Sequence, residues 1–178
     1  MRSSCLKLLS SVASVVLLAV GCVQPDEAWQ TVTVVDNGGF EVSMPRPAGV
    51  QRSTIYLNAD QVPTHINILA DSGITYVASW FDLPEPLAKL PSGIIPDTVW
   101  SLMNQREDAE ILSEEGPLAS PQPDQRHAWL RVDGTRIGVV MVFRGHRVAI
   151  LNSGTPDQFF GERERRNMQR FLRSYRPL

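Results

Sequence analysis

The side chains that could perform acid–base or metal chemistry are few in this sequence and lie far apart. Its three histidines, His65, His127 and His146, are separated by many more residues than the ligands of local metal motifs, and neither HExxH nor a paired-cysteine motif occurs. Asp124 stands three residues before His127, but on a loop leading into a strand, where this spacing does not bring two side chains together. We therefore predict no bound metal and no cofactor.

Nucleophilic catalysis likewise has no local signature here. The sequence contains no GxSxG elbow, no Walker-type phosphate loop and no GxGxxG, and Gly38-Gly39 is typical of a hairpin turn. A hydrolase made of Ser153, His146 and an aspartate is an alternative that only the fold could assemble. We predict a protein that is not an enzyme.

Cys22 is the residue with the clearest chemical fate. It ends the segment 17–22 (LLAVGC), after an apolar run over residues 8–20 that is shorter than the about 20 residues needed to span a bilayer. Arg2 and Lys7 supply the basic start of a secretory signal. The pattern resembles the bacterial lipobox, although Ala19 stands where leucine is commoner. An ordinary secretory signal with an incidental cysteine is the alternative.

The lipobox resemblance implies cleavage before Cys22, a diacylglyceryl thioether on its sulfur and an acyl chain such as palmitate on its new amino terminus. Residues 1–21 are then a lipoprotein signal peptide, residues 22–28 a lipidated tether and residues 29–178 one globular domain. The predicted location is the cell envelope. Val23 occupies a position where aspartate often signals inner-membrane retention, so we favour the periplasmic face of the outer membrane.

Composition narrows the class of protein further. The chain has two cysteines, Cys5 within the signal peptide and Cys22 at the anchor, so the predicted mature domain forms no disulfide and its core carries the fold unaided. The formal charge is −2, and loss of Arg2 and Lys7 with the signal leaves −4. This mildly acidic balance predicts no nucleic-acid partner.

Strand patterns dominate the predicted domain. Residues 32–34 and 40–44 alternate apolar and polar side chains around the turn-forming 36–39 (DNGG), which predicts a hairpin, and residues 53–57 and 64–69 are weaker strands. Residues 126–132, 135–143 and 146–151 predict a three-stranded antiparallel meander. The segments 73–82 and 135–143 are apolar on both faces, which predicts a sheet lying between two helical layers.

Two helices are predicted. Thr155 and Pro156 suit the start of the last helix, and Met168, Phe171, Leu172 and Tyr175 form one apolar stripe along it. Five arginines cover the rest of that helix: Arg163, Arg165, Arg166, Arg170 and Arg173. They indicate either a solvated outer face, which we favour, or a surface for anionic lipid or phosphate. The second helix is predicted over residues 97–108.

The stretch 83–96 is the predicted binding segment. It has four prolines and, without helix or strand periodicity, the apolar residues Leu87, Leu90, Ile94 and Ile95. A long irregular loop of this kind either packs onto the domain or binds a partner. We slightly favour binding.

The hairpin ending at 39–45 (GFEVSMP), the strand ending 76–80 (YVASW), the meander within 135–151 and the closing 170–175 (RFLRSY) together resemble a bacterial PsbP-like domain of the Mog1/PsbP fold. That resemblance implies an α+β protein with a three-layer α/β/α sandwich around a mainly antiparallel sheet. Residues 120–125 (SPQPDQ) depart from the glycine and proline turn that many members carry. Members act mostly through interactions, as photosystem subunits, Ran-binding proteins and DcrB-type envelope lipoproteins.

Three functions follow, in order of preference. The first is a lipid-anchored, non-enzymatic envelope protein that binds a protein partner or stabilises an envelope complex. The second is a carrier of a small ligand or lipid, with its pocket under the 83–96 loop. The third is an enzyme, for which His127 or His146 grouped with carboxylates in a cleft would be the sign.

Overall fold

The computed structural model describes residues 29–34, 38–57, 60–103, 109–113 and 116–178. The predicted signal peptide, Cys22 and the tether lie outside these residues, as do three residues around the predicted hairpin turn. The described strands are β1 (Gln30–Thr33), β2 (Phe40–Met44), β3 (Gly49–Leu57), β4 (Asp60–Asp71), β5 (Ile74–Asp82), β6 (Ala109–Ser113), β7 (Gln125–Val132), β8 (Thr135–Arg144), β9 (Arg147–Pro156) and β10 (Arg176–Pro177). The helices are α1 (Glu85–Ala88), α2 (Ile95–Met103) and α3 (Glu162–Leu172), the last preceded by a 3₁₀ turn over Asp157–Phe159.

The strands form two antiparallel sheets within one α+β domain. The large sheet has seven strands in the order β3-β4-β5-β9-β8-β7-β6, and the small sheet has three in the order β1-β2-β10. The predicted β1–β2 hairpin and the β7–β8–β9 meander are both present, with Val32 opposite Val42 and Trp129 opposite Gly138. The predicted α+β class with a mainly antiparallel sheet is therefore confirmed.

Both faces of the large sheet are buried. Side chains of β5, β8 and β9 alternate between two apolar clusters, because successive residues of a strand point to opposite faces. One cluster joins the sheet to α3 and the small sheet and includes Phe40, Tyr76 and Phe171. The other joins it to α1 and α2 and includes Phe81 and Val99. The two-sided burial predicted for these strands is confirmed.

The predicted start of the last helix is wrong. Thr155 still belongs to β9, where it pairs with Arg136 and its hydroxyl donates to the Gly73 carbonyl at 3.0 Å. Helix α3 begins only after Gly161, whose N–H donates to the Glu164 carboxylate at 3.1 Å. The predicted apolar stripe is right for Met168, Phe171 and Leu172, which are all buried, whereas Tyr175 lies beyond the end of the helix.

The other helix also begins elsewhere than predicted. Helix α2 starts at Ile95 rather than near residue 97 and is described to Met103, while residues 104–108 lie outside the described chain. Ile95 and Pro96, assigned from the sequence to an irregular loop, form its buried first turn. Helix α1 interrupts the same loop. Proline suits these first-turn positions because it has no N–H to leave unpaired.

Gly138 lets α3 lie close to β8. A Cβ at this position would stand 2.6 Å from Leu172 Cδ1 on the helix and 2.7 Å from Trp129 Cζ3 on β7. Both distances are far below a normal carbon–carbon contact. The absence of a side chain at residue 138 therefore sets the distance between helix and sheet.

Candidate functional site

A cleft of about 450 Å³ opens where the small sheet meets the β8–β9 turn of the large sheet. Its walls come from residues 38–40 at the start of β2, from Asp82 at the end of β5 and from the end of the described chain at Tyr175, Pro177 and Leu178. The turn contributes three side chains with basic groups, Arg144, His146 and Arg147. We call this feature the β8–β9 cleft.

Arg147 is held in place by two neighbouring side chains, Asp82 and Trp80. It lies opposite Asp82 in the β5–β9 ladder, and its guanidinium donates to both carboxylate oxygens at 3.0 and 3.3 Å. The same guanidinium lies 4.0 Å from the centre of the Trp80 ring, which is buried and stacks on His65 at 4.2 Å. Asp82 and Trp80 therefore hold the Arg147 guanidinium in one orientation before a ligand binds.

Arg144 forms the second fixed cation of the cleft. Its guanidinium lies 3.4 Å from the Asp124 carboxylate and near the Tyr175 hydroxyl. Burial raises the pKa of the Tyr175 phenol above its usual 10.0, and the adjacent Arg144 offsets only part of that effect. The phenol therefore remains a neutral donor at physiological pH, and its ring packs on Phe40 with centroids 5.2 Å apart.

Both guanidiniums of the cleft are already ion-paired within the domain, Arg147 with Asp82 and Arg144 with Asp124. Asp82 is the one carboxylate side chain among the lining residues, against two guanidiniums and an exposed imidazole. Arginine binds carboxylates through paired, planar hydrogen bonds, and it is enriched at protein interfaces. The cleft can therefore offer guanidinium hydrogen bonds to a partner carboxylate that shares these internal ion pairs.

The Ser153–His146 hydrolase is excluded by the strand that carries both residues. His146 is exposed in the turn before β9, whereas Ser153 is fully buried seven residues further along it. At the rise of a β-strand this separation is about 23 Å. The Ser153 hydroxyl has no hydrogen-bond partner among the described residues.

His127 and Asp124 have different partners, although they are three residues apart. His127 Nδ1 accepts the Leu118 N–H at 3.2 Å, while Asp124 reaches across to Arg144. Burial lowers the pKa of His127 below its usual 6.5, which favours the neutral ring that this hydrogen bond requires. His127 therefore ties down the loop before β7.

The predicted binding segment is mostly packed. Ile95 is a core residue at 7% exposure, and Leu87 and Leu90 are half-buried against the same cluster. Ile94 is the exception, with 49% of its surface exposed. The structure thus brings Leu87, Leu90 and Ile95 together as a cover over the sheet and leaves Ile94 alone at the surface.

The described residues show neither a metal-binding cluster nor a membrane-spanning helix. No group of three or more His, Cys, Asp or Glu side chains is arranged to hold a metal ion in this part of the chain. None of the helices in the described ranges is long and apolar enough to cross a membrane.

No family model matches this chain, and no curated protein matches it.

The β8–β9 cleft was not predicted from the sequence. Its residues come from four distant parts of the chain and carry no shared motif. The available signal was the segment 144–147 (RGHR), which places three basic side chains around one glycine turn. Its glycine indicates a hairpin turn, but its charge alone does not indicate a binding cleft.

Proposed function

We propose that this chain is a lipid-anchored envelope protein that binds a protein partner rather than catalysing a reaction. Cys22 is its anchor, as the LLAVGC segment indicates, and the β8–β9 cleft is its binding site. We further propose that the domain is PsbP-like, with a three-layer α/β/α arrangement. The burial of both faces of the large sheet supports that proposal.

The observation that carries partner binding is the fixed pair of guanidiniums in an open cleft. Arg144 is paired with the Asp124 carboxylate, and Arg147 is positioned by the Asp82 carboxylate and the Trp80 ring. A cation already held in one rotamer loses little conformational entropy when a partner binds, which is how a preorganised site gains affinity. The partner surface that fits is acidic.

Charge reversal in the cleft tests this binding. Arg144→Glu should abolish capture of an acidic partner from detergent-solubilised membranes, whereas Lys89→Glu, just after α1, makes the same change of charge at a residue that does not line the cleft and should leave capture intact. Both side chains are well exposed, and melting curves check that both variants are folded, because Arg144→Glu also removes the ion pair with Asp124. Equal capture by Arg144→Glu and the wild type would refute the cleft as the site.

The anchor is tested separately. Cys22→Ala removes the thiolate that would accept the diacylglyceryl group, so the variant should lose both processing and membrane partition. Unchanged electrophoretic mobility and membrane fraction would refute the lipoprotein assignment while leaving the cleft untouched.

Catalysis is the second candidate, because His146 and Asp82 line the same cleft. We rank it lower because both Asp82 oxygens already accept hydrogen bonds from Arg147. Turnover of a chromogenic ester, phosphate ester or glycoside that is lost in His146→Ala would reverse this ranking.

A further inference from the structure

Helix α3 presents a line of arginines to the outside. Arg163, Arg166, Arg170 and Arg173 follow one another at intervals of three and four residues, so they share one helix face. All four are exposed, and this face is opposite the buried Met168, Phe171 and Leu172. We call these four residues the arginine stripe.

Few acids neutralise the stripe. Glu162 lies beside it, 3.5 Å from Arg166, and the Glu164 carboxylate accepts a hydrogen bond from the Gly161 N–H. The segment 162–173 has five arginines and two glutamates, a net charge of +3, whereas residues 22–178 together carry −4. The remainder of the mature chain therefore carries −7, and the domain is electrically polarised towards α3.

The chain enters the domain beside this stripe. Trp29, the first described residue, lies under Arg170, with 4.6 Å between the guanidinium carbon and the ring centroid. Its ring also meets Tyr76 edge-on at 5.7 Å, and Tyr76 in turn contacts Phe171 of α3. Trp29 is thus fixed against the helix that carries the stripe.

Covalent geometry limits the distance from this point to the anchor. Six residues separate Cys22 from Trp29, and seven Cα–Cα steps of a fully extended chain span at most about 25 Å. The opposite side of the domain, formed by α1 and α2, is a sheet and a helix layer further away, since packed layers stand about 10 Å apart. Arg170, which contacts Trp29, therefore lies on the side of the domain that the tether to Cys22 reaches.

We propose that the arginine stripe docks onto the anionic phospholipid headgroups of the membrane that holds Cys22. This inference rests on the lipid anchor of the proposed function. Anionic headgroups attract each surface cation, and they repel the acidic remainder of the domain, so the two effects favour the same orientation. Docking in this way leaves α1 and α2 facing away from the membrane.

Probes on the two sides of the domain test the orientation. The lipidated full chain is reconstituted into vesicles of equal parts phosphatidylcholine and phosphatidylglycerol that contain a headgroup quencher. A fluorophore is placed through Gln169→Cys, next to Arg166 and Arg173, or through Ser101→Cys, exposed on α2. No other free thiol competes, because Cys22 carries lipid and Cys5 leaves with the signal peptide.

We expect stronger quenching at residue 169 than at residue 101, and weaker quenching at 169 in pure phosphatidylcholine or high salt. Neutralising Arg163 and Arg166 to Gln should lower the docked-to-undocked ratio about 25-fold, at about fivefold per cation. The matched control neutralises Lys89 and Arg126 on the α1/α2 side and should leave the ratio unchanged. Melting curves of both double variants check that the domain is folded.

Co-flotation with the vesicles separates failure of the anchor from failure of the stripe. A chain that floats but shows equal quenching at residues 169 and 101 overturns the docking and leaves the anchor standing. Quenching at 169 that is as strong in neutral vesicles shows proximity through the tether alone and also overturns it. A chain that does not float refutes the anchor and the docking together.

Discussion

Replacing Gly138 with Ala should destabilise the domain by overpacking the contact between α3 and the large sheet. The added methyl carbon would stand 2.6 Å from Leu172 Cδ1 and 2.7 Å from Trp129 Cζ3. Both neighbours are buried side chains, Leu172 at 1% exposure and Trp129 at 8%. Neither can turn outward without opening the cluster, so α3 must move away from β8.

The magnitude follows from two opposed effects. Forcing an extra carbon into a packed core costs about 1–3 kcal/mol. Alanine also restricts the unfolded chain, which by itself stabilises a protein by about 0.4–1 kcal/mol. Gly138 has no positive φ, so backbone strain adds nothing to the cost. A net loss of about 1–2 kcal/mol is expected, or a fall in Tm of about 2–8 °C for a domain of this size.

Urea unfolding at fixed pH measures the effect, with Gly154→Ala as the matched control. Gly154 lies in β9, and a Cβ there would meet ordinary contacts, the closest at 3.4 Å. The control should be neutral or slightly stabilising, so the two substitutions are expected to differ in sign. In a Leu172→Ala background the cost of Gly138→Ala should shrink, because one clashing atom is gone. Equal stability of Gly138→Ala and the wild type would refute the described seating of α3 on β8.

Three further changes probe other parts of the fold. Phe171→Ala, at a fully buried position, should cost about 3–5 kcal/mol in urea unfolding, and a loss below 1 kcal/mol would contradict its place in the core. Leu90→Ala should cost about 1–2 kcal/mol, since this side chain is half-buried against its cluster, and an unchanged midpoint would instead support a recognition role for it. Because burial lowers the folded-state pKa of His127, its contribution to stability should be complete above the unfolded value of about 6.5 and should decline as the pH falls below it. The change of the urea midpoint with pH across this range should become smaller in His127→Gln, and an identical pH dependence would count against the burial of His127.

Strand and helix positions were predictable where side-chain periodicity was strong. Residues 73–82 have apolar side chains on both faces, and Met168, Phe171 and Leu172 form an apolar stripe. Both patterns reflect burial by neighbouring layers, and the structure confirms them. Local capping chemistry was less reliable. Thr155 has the side chain of an N-cap, but β5 and β8 flank β9 there, and sheet pairing decides the outcome.

Elements and sites that depend on distant residues could not be predicted. Strand β10 has two residues, and it exists because Arg176 and Pro177 meet the far end of the chain at Glu41 and Phe40. The β8–β9 cleft depends on the same meeting of distant segments. Arg144 and Arg147 carried a charge signal in the sequence, whereas the aromatic and carboxylate groups that orient them did not.

The position of β2 between β1 and β10 governs when the domain can finish folding. Glu41 pairs with Arg176, 135 positions later, whereas the β7–β8–β9 meander needs only neighbouring residues. Loop-closure entropy and contact order therefore make the meander early and the small sheet late. Under the export proposed above, the edge of β2 that pairs with β10 must wait until residues 176–177 have crossed, and the surface around Phe40 and Tyr175 stays uncovered during that interval. Pulsed hydrogen exchange during refolding would show this delay as late protection of the β2 amides.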